Sequence, residues 1–155
     1  MTISRVLVPL NFMANDEKSL MSVIQKYSHD TDVEITLFHA YTPVHEIDVR
    51  NNPIMEKMAA NLSYLKQCQE AKEEELQRAM DKLVKGGFEA SRVNYIFTSL
   101  KNNIAADIVS LVSEKNFNVV VMNRTPNKIA KFFMRSVSKK VSDSLKGAAE
   151  VYILN

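Results

Sequence analysis

Val119-Val120-Val121-Met122 is an uninterrupted apolar run, and Val6-Leu7-Val8 near the start of the chain is another. A strand that helices cover on both faces needs apolar residues in succession, whereas a strand with one wet face can alternate. Both runs therefore predict strands that are buried on both faces. We expect them to be neighbours at the centre of a sheet.

Three further β-type runs flank this predicted centre, and helix-period segments fill most of the gaps. Residues 33–40 and 92–98 show alternation, so these two strands should lie further out. The five predicted strands are Arg5–Leu10, Val33–Ala40, Arg92–Thr98, Asn118–Met122 and Glu150–Leu154. Alternating strands and helices indicate crossovers and parallel pairing. The 155 residues fit a single α/β domain over residues 1–155, with an open, mostly parallel five-stranded sheet and helices on both faces.

Four segments have the period of amphipathic helices. The first and third are Asn15–Ser28 and Asn102–Glu114. The fourth, Lys128–Lys146, is either one continuous helix or an interrupted one. The second is long: Pro53 opens it, the glycines Gly86 and Gly87 end it, and residues 41–56 precede it as an irregular excursion. Its predicted core face comprises Met58, Leu62, Leu65, Leu76, Met80 and Leu83. The third helix should turn Ile104, Ile108, Leu111 and Val112 inward.

The composition indicates in which cellular compartment the chain is expected and which classes of partner are not. Cys68 is the single cysteine, so no internal disulfide can form and the expected location is the cytoplasm. No apolar run approaches the roughly 18 residues that span a bilayer, so no membrane partner is expected. A net charge of +2 gives no reason to expect nucleic acid as a partner.

The carboxyl ends of the two central strands form the predicted ligand crevice. If the second strand lies on one side of the first strand and the fourth on the other, the strand order reverses between them, and open α/β sheets bind ligands there. Leu10-Asn11-Phe12 and Met122-Asn123-Arg124 would lie at this crevice. The turn after the first strand has no glycine, so neither the dinucleotide fingerprint nor the phosphate loop is present in it.

Several stretches resemble the universal stress protein family, and the resemblance covers nearly the whole chain. Val8-Pro9-Leu10-Asn11 is similar to the family's first-strand turn, residues 35–40, 105–108 and 118–122 match further segments, and residues 134–141 resemble the Gly-Ser-Val segment that opens its last helix. The resemblance implies a Rossmann-like sheet of order 3-2-1-4-5, similar to adenine-nucleotide hydrolases, and homodimers. It also implies that some members bind ATP at the crevice through a Gly-x-x-Gly-x9-Gly-Ser/Thr loop.

This nucleotide motif is degenerate here. Met122 or Asn123 stands at the first glycine, Thr125 or Pro126 at the second, and Arg135 at the third, so that only Ser136 is retained. Glycine allows backbone amides to approach phosphate closely and to adopt positive φ, which proline and β-branched residues do not readily do. Asn11 also replaces the family's aspartate. The candidate, degenerate nucleotide site comprises Pro9, Leu10, Asn11, Ala40, Met122, Asn123, Arg124, Thr125, Arg135, Ser136 and Val137.

Arg135 has two interpretations. It either fills the phosphate pocket and blocks it, or acts with Arg124 to hold an anion by bidentate side-chain contacts in place of backbone amides. We favour the blocked pocket, because several independent changes to the motif coincide. No cofactor is therefore expected, and ATP or AMP remains the alternative ligand.

No residue pattern indicates catalysis. The three histidines lack partners at metal-ligand spacing, Cys68 has no basic neighbour in sequence, and no serine lies in a nucleophile elbow. A slow ATP hydrolase would need a base or metal-carrying carboxylates, and Asn11 removes the obvious acidic candidate. The favoured function is a non-catalytic stress-response homodimer that acts through a protein partner, ahead of a nucleotide-binding sensor and a hydrolase.

The last predicted strand indicates how such a dimer would form. Val151, Tyr152, Ile153 and Leu154 are apolar at every position, although the strand should be the outermost one. An exposed apolar edge favours pairing with another strand. We therefore expect a symmetric homodimer through these four residues.

Overall fold

The computed structural model describes residues 3–11, 16–42, 53–123 and 137–154. The strands are β1 (Ser4–Pro9), β2 (Val33–Tyr41), β3 (Val93–Ser99), β4 (Val119–Asn123) and β5 (Glu150–Leu154). The helices are α1 (Asp16–Tyr27), α2 (Pro53–Lys85), α3 (Ile104–Lys115) and α4, which covers the helical residues 137–144. Residues 43–52 of the predicted excursion and 128–136 of the predicted fourth helix lie outside the described residues.

All five strands are parallel and have the order β3-β2-β1-β4-β5, which confirms the predicted fold class and strand order. Val6 of β1 lies opposite Ile35 of β2 on one side and Val119 of β4 on the other. At the amino edge, the Arg5 amide donates to Asn118 Oδ1 over 2.9 Å, and the Asn118 amide donates to the Arg5 carbonyl over 2.8 Å. This exchange fixes the register of the central pair.

The sheet divides the core into two layers, because successive strand side chains point to opposite faces. Val6, Val8 and Val121 pack in the layer under α1 and α2. Leu7 and Val120 pack in the other layer, with side chains of α3 and α4. The uninterrupted apolar runs of β1 and β4 thus fill both layers, as the sequence predicts.

Local capping explains where several helices start and stop. α3 begins after Asn103, whose Oδ1 accepts from the Ala106 amide over 2.9 Å. It ends at Asn116, which adopts the left-handed conformation with φ of 55°. α2 ends before Gly87, which has a φ of 122° that side chains other than glycine rarely adopt.

The predicted core face of α2 is wrong for its first half. Leu76 and Leu83 are fully buried, but Met58 is 45% exposed and Leu65 is 47% exposed. A 33-residue helix is about 50 Å long, whereas a nine-residue strand spans about 30 Å. Gln69 Nε2 donates to the Thr42 carbonyl just beyond the end of β2, over 2.7 Å. The turns before Gln69 therefore extend past the carboxyl edge and have no sheet beneath them.

Ile104 is a second correction, since it is 42% exposed although its spacing predicts an inward position. It is the first residue of α3, and the buried residues of that helix are Ala105, Ile108 and Val112. None of the described helices is both long enough and apolar enough to cross a membrane.

The two halves of α2 should respond differently to loss of a leucine side chain. Leu83→Ala should lower the free energy of unfolding by about 2–5 kcal/mol, because it leaves a cavity in the core. Leu65→Ala, on the overhanging half, should change it by no more than about 0.5 kcal/mol. Urea unfolding of dilute protein measures both. Equal losses of unfolding free energy in the two variants would contradict the conclusion that the turns of α2 before Gln69 extend beyond the sheet.

Candidate functional site

The predicted crevice is present at the carboxyl ends of β1 and β4, where the strand order reverses. Connections from the two central strands leave in opposite directions there, which opens a gap at the edge of the sheet. The gap is a cavity of about 250 Å³. Its described lining residues are Pro9, Leu10, Asn11, Asp16, Phe38, His39, Ala40, Ile104, Ile108, Met122, Asn123 and Val137.

The structure brings seven of the predicted site residues to this one cavity. They are Pro9, Leu10, Asn11, Ala40, Met122, Asn123 and Val137. The remaining four, Arg124, Thr125, Arg135 and Ser136, lie outside the described residues. Nucleotide binding by any of these eleven residues stays a prediction.

Asp16 places a carboxylate at the start of α1, beside the turn after β1. Its Oδ1 accepts a hydrogen bond from the Asn11 amide over 3.4 Å. The amino end of a helix carries a partial positive charge and exposed amides, so this is where an anionic ligand of a doubly wound sheet usually binds. Here a side chain of the protein itself supplies the negative charge.

His39 is held near the end of β2, on the cavity wall. Its Nδ1 lies 2.9 Å from the Leu10 carbonyl. Because a carbonyl can only accept, Nδ1 carries the proton and donates it. The imidazole ring stacks on the Phe97 ring, with the two centroids 6.0 Å apart. The Tyr41 ring packs against Phe97 in turn, with a centroid distance of 4.7 Å. These contacts fix the imidazole in one orientation.

The environment keeps His39 neutral near physiological pH. Burial is the main cause that lowers its pKa, since desolvation disfavours the charged imidazolium. The hydrogen bond to the Leu10 carbonyl acts against this, and the positive charge of Lys72 lowers the pKa further. In the neutral form the proton is on Nδ1, so Nε2 faces its surroundings as an acceptor.

Apolar side chains make up most of the cavity wall. Phe38, Ile108 and Met122 are buried members of the core layer under α3 and α4, and exposed Ile104 stands at the mouth. Asn123, at the end of β4, is 5% exposed and adds a buried amide. The described lining residues include no lysine or arginine. The described part of the chain also holds no group of three His, Cys, Asp or Glu side chains that could bind a metal ion.

Sequence reasoning missed two polar members of this site. His39 lies near the carboxyl end of the strand beside β1, and that position in the sequence is the signal by which it could have been found. Asp16 is an acidic residue in the first turn of α1, where the helix dipole favours it. Its position in the cavity depends on how the β1–α1 turn folds back, which no spacing rule predicts.

β5 is the terminal strand of the described sheet and pairs with β4 alone. Tyr152 is 37% exposed, and Lys26 Nζ lies 3.4 Å from the centre of its ring. Its hydroxyl donates to Glu150 Oε2 over 2.7 Å. Val151 and Leu154 pack against the two core layers. The outermost position of this strand is confirmed, and dimer formation through it stays a prediction.

The lowered pKa of His39 predicts a pH dependence of stability. Above about pH 6.5 the imidazole is neutral in both states. As the pH falls below that value, the unfolded chain takes up a proton before the folded one, so the free energy of unfolding falls until the folded-state pKa is passed. His39→Gln removes this component. Urea unfolding between pH 7.5 and pH 5 should therefore show a shallower decline in the variant.

The matched control is His29→Gln, which removes an exposed histidine in the turn after α1. Parallel pH profiles for the native chain and His39→Gln would contradict the neutral, buried imidazole.

Comparison with known proteins points to one fold. No protein-family model matches the chain, and no curated protein matches it in sequence. A universal stress family protein from Burkholderia pseudomallei is 12% identical with a TM-score of 0.63, and the match covers 97% of this chain and 95% of that one. The Archaeoglobus fulgidus universal stress protein in complex with dAMP is 16% identical with a TM-score of 0.61, covering 100% of both chains. A universal stress protein in complex with cAMP is 16% identical with a TM-score of 0.62, covering 100% of this chain and 98% of that one.

These matches extend over essentially the whole chain, and the parallel sheet of order β3-β2-β1-β4-β5 agrees with the order that the resemblance implies. At 12–16% sequence identity, these matches show a common fold. The chain has the universal stress protein fold.

Proposed function

We propose that this chain is a non-catalytic universal-stress-type protein, a cytoplasmic stress-response homodimer that does not bind ATP tightly. The observation that carries the proposal is the Asp16 carboxylate at the start of α1, where phosphate would otherwise bind. Phosphate oxygens near this group would meet like charge in a partly desolvated crevice, which is costly. The described lining offers no cation to offset that repulsion.

The sequence of the phosphate loop supports the same conclusion. Met122 and Asn123 are both buried at the end of β4, where the family motif would begin with glycine. A side chain at that point limits how closely a phosphate can approach the backbone. The proposal therefore rests on a crevice that is open in shape but unsuited to phosphate.

An adenine-nucleotide sensor is the second candidate. Two proteins of this fold have structures in complex with cAMP and dAMP. Val137 lines the cavity, and Ser136 and Arg135 precede it directly in sequence. In this alternative Arg124 and Arg135 would bind phosphate through their guanidinium groups. A slow hydrolase is disfavoured, because Asp16 is the single carboxylate in the described lining and the described residues form no group of three His, Cys, Asp or Glu side chains that could bind a metal ion.

The thermal stability of the chain with ATP tests the first candidate against the second. ATP at a hundred times its dissociation constant would add about 2.7 kcal/mol to the free energy of unfolding. We expect no rise in Tm with millimolar ATP and magnesium. The control is the same concentration of inorganic triphosphate, which reports charge effects without the base.

Two Arg135 variants separate the remaining possibilities. A rise in Tm specific to ATP that Arg135→Ala reduces would overturn the proposal in favour of arginine-mediated phosphate binding. A rise that appears or grows in Arg135→Gly would show that Arg135 only obstructs a surviving nucleotide site.

The dimer part of the proposal rests on β5. The strand ends the described sheet, its apolar side chains are only partly covered, and an uncapped edge can pair with the same edge of a second copy. Light scattering at low micromolar concentration should give about twice 17.6 kDa. Ile153→Asp should reduce this mass to that of one chain. A native chain that scatters as a monomer would refute the dimer.

A further inference from the structure

The crevice receives its polar side chains from one face of the sheet. Asp16 belongs to α1, and the His39 ring stacks on Phe97, which packs against the core layer under α1 and α2. Asn123 points to the same face, because it lies two residues after Val121 of that layer and strand side chains alternate. A carboxylate, an imidazole and an amide therefore meet on the α1 side of the cavity.

The α3 side of the cavity is apolar. Five lining side chains belong to the core layer under α3 and α4 or pack against it, namely Phe38, Ala40, Ile108, Met122 and Val137. Leu10 also lines the cavity and packs in the other layer. A ligand that matches this cavity has an apolar body and a polar group at one end.

The charges on the polar side favour a cationic donor. Asp16 accepts a hydrogen bond from the Asn11 amide, and a carboxylate offers about four acceptor positions. Burial lowers the pKa of His39, so the neutral ring adds no positive charge near pH 7. Lys72, whose charge also acts on His39, is exposed on α2, where water and salt screen it.

The volume of the cavity limits the size of the ligand. It measures about 250 Å³, which is below the roughly 300–1,000 Å³ of most sites for small molecules. An apolar body of one aromatic ring on a short chain is of suitable size.

We propose that the crevice binds a small primary amine with an apolar body. The ammonium group donates to the Asp16 carboxylate, and the body packs against Phe38, Ile108 and Met122 on the opposite side. Charge-assisted hydrogen bonding orients the ligand, and apolar burial adds to its affinity. This assignment rests on the proposed function, because the carboxylate that disfavours phosphate is the group that would hold the amine.

Three probes that share a phenyl ring and differ in charge test the assignment. They are 2-phenylethylamine, neutral 2-phenylethanol and anionic phenylacetate. Nuclear magnetic resonance of the chain with ¹³C-labelled methionine methyl groups reports binding at the cavity, because Met122 lines it. The Met122→Leu variant identifies that signal. Met80 packs against the other core layer and serves as the internal reference.

We expect the amine to shift the Met122 signal and to leave that of Met80 in place. Its dissociation constant should lie in the range of about 0.1–10 mM that is typical of so small a ligand. The alcohol should bind at least about tenfold more weakly, because it lacks the charge-assisted hydrogen bond. Phenylacetate should cause no shift, since its carboxylate would face that of Asp16.

Two variants locate the charge that selects the amine. Asp16→Asn should weaken amine binding by about tenfold or more and leave the alcohol unaffected. The matched control is Glu17→Gln, which removes a carboxylate from the same turn of α1 at an exposed position outside the described lining. It should bind the amine as the native chain does. The comparison of the three probes on the native chain stands even if Asp16→Asn does not fold.

Any of three results would overturn the amine assignment. These are equal binding of amine and alcohol, tighter binding of phenylacetate, and a folded Asp16→Asn variant with native affinity for the amine. The same spectra recorded with ATP keep the two proposals apart. A Met122 shift with ATP would refute the proposed function, whereas no shift with either ATP or the amine would refute the amine assignment alone.

Discussion

Burial of the β1–β4 pair on both faces is the constraint on which the rest of the structure depends. Val6, Leu7 and Val8 have no exposed surface, and the β4 strand is buried along its whole length. Helices must therefore cover both faces of the sheet. Consecutive parallel strands are joined by crossover connections, and these connections supply the covering helices. With β2 on one side of β1 and β4 on the other, the crossovers diverge, and the crevice opens between them. Burial of the β1–β4 pair thus accounts for both the two-layered core and the position of the crevice.

The sequence predicts this architecture well because burial leaves a simple pattern in it. Five strands, three helices and the central pairing of β1 with β4 follow from apolar runs, alternation and capping residues, and the element ends agree with the structure to within one or two residues. The full strand order is what the family resemblance implies. The errors lie where an amphipathic pattern continues beyond its support. Met58, Leu65 and Ile104 have the spacing of core residues, but spacing does not report where the sheet ends.

The site is only partly predictable for a related reason. Asn11 and Asn123 lie at the ends of β1 and β4, and sequence patterns predict where strands end. Their positions in the site were therefore predictable. Asp16 and His39 reach the cavity through a hydrogen bond to the backbone of the β1 turn. Such contacts depend on a turn conformation that has no periodic signature. They nevertheless set the electrostatics of the crevice, with one carboxylate and one neutral imidazole close to the same turn.

The register of β1 against β4 has a consequence for how the chain folds as it is made. Arg5 and Asn118, which lock the two strands together, are 113 residues apart in sequence. During synthesis β1 can pair with β2 early, but its other edge stays open until β4 has left the ribosome. Contacts this distant slow folding, because a long loop must close before any pairing energy is gained. Nascent chains would thus carry an unpaired edge on an apolar strand until residues 119–123 emerge, and a chaperone would bind it in that period.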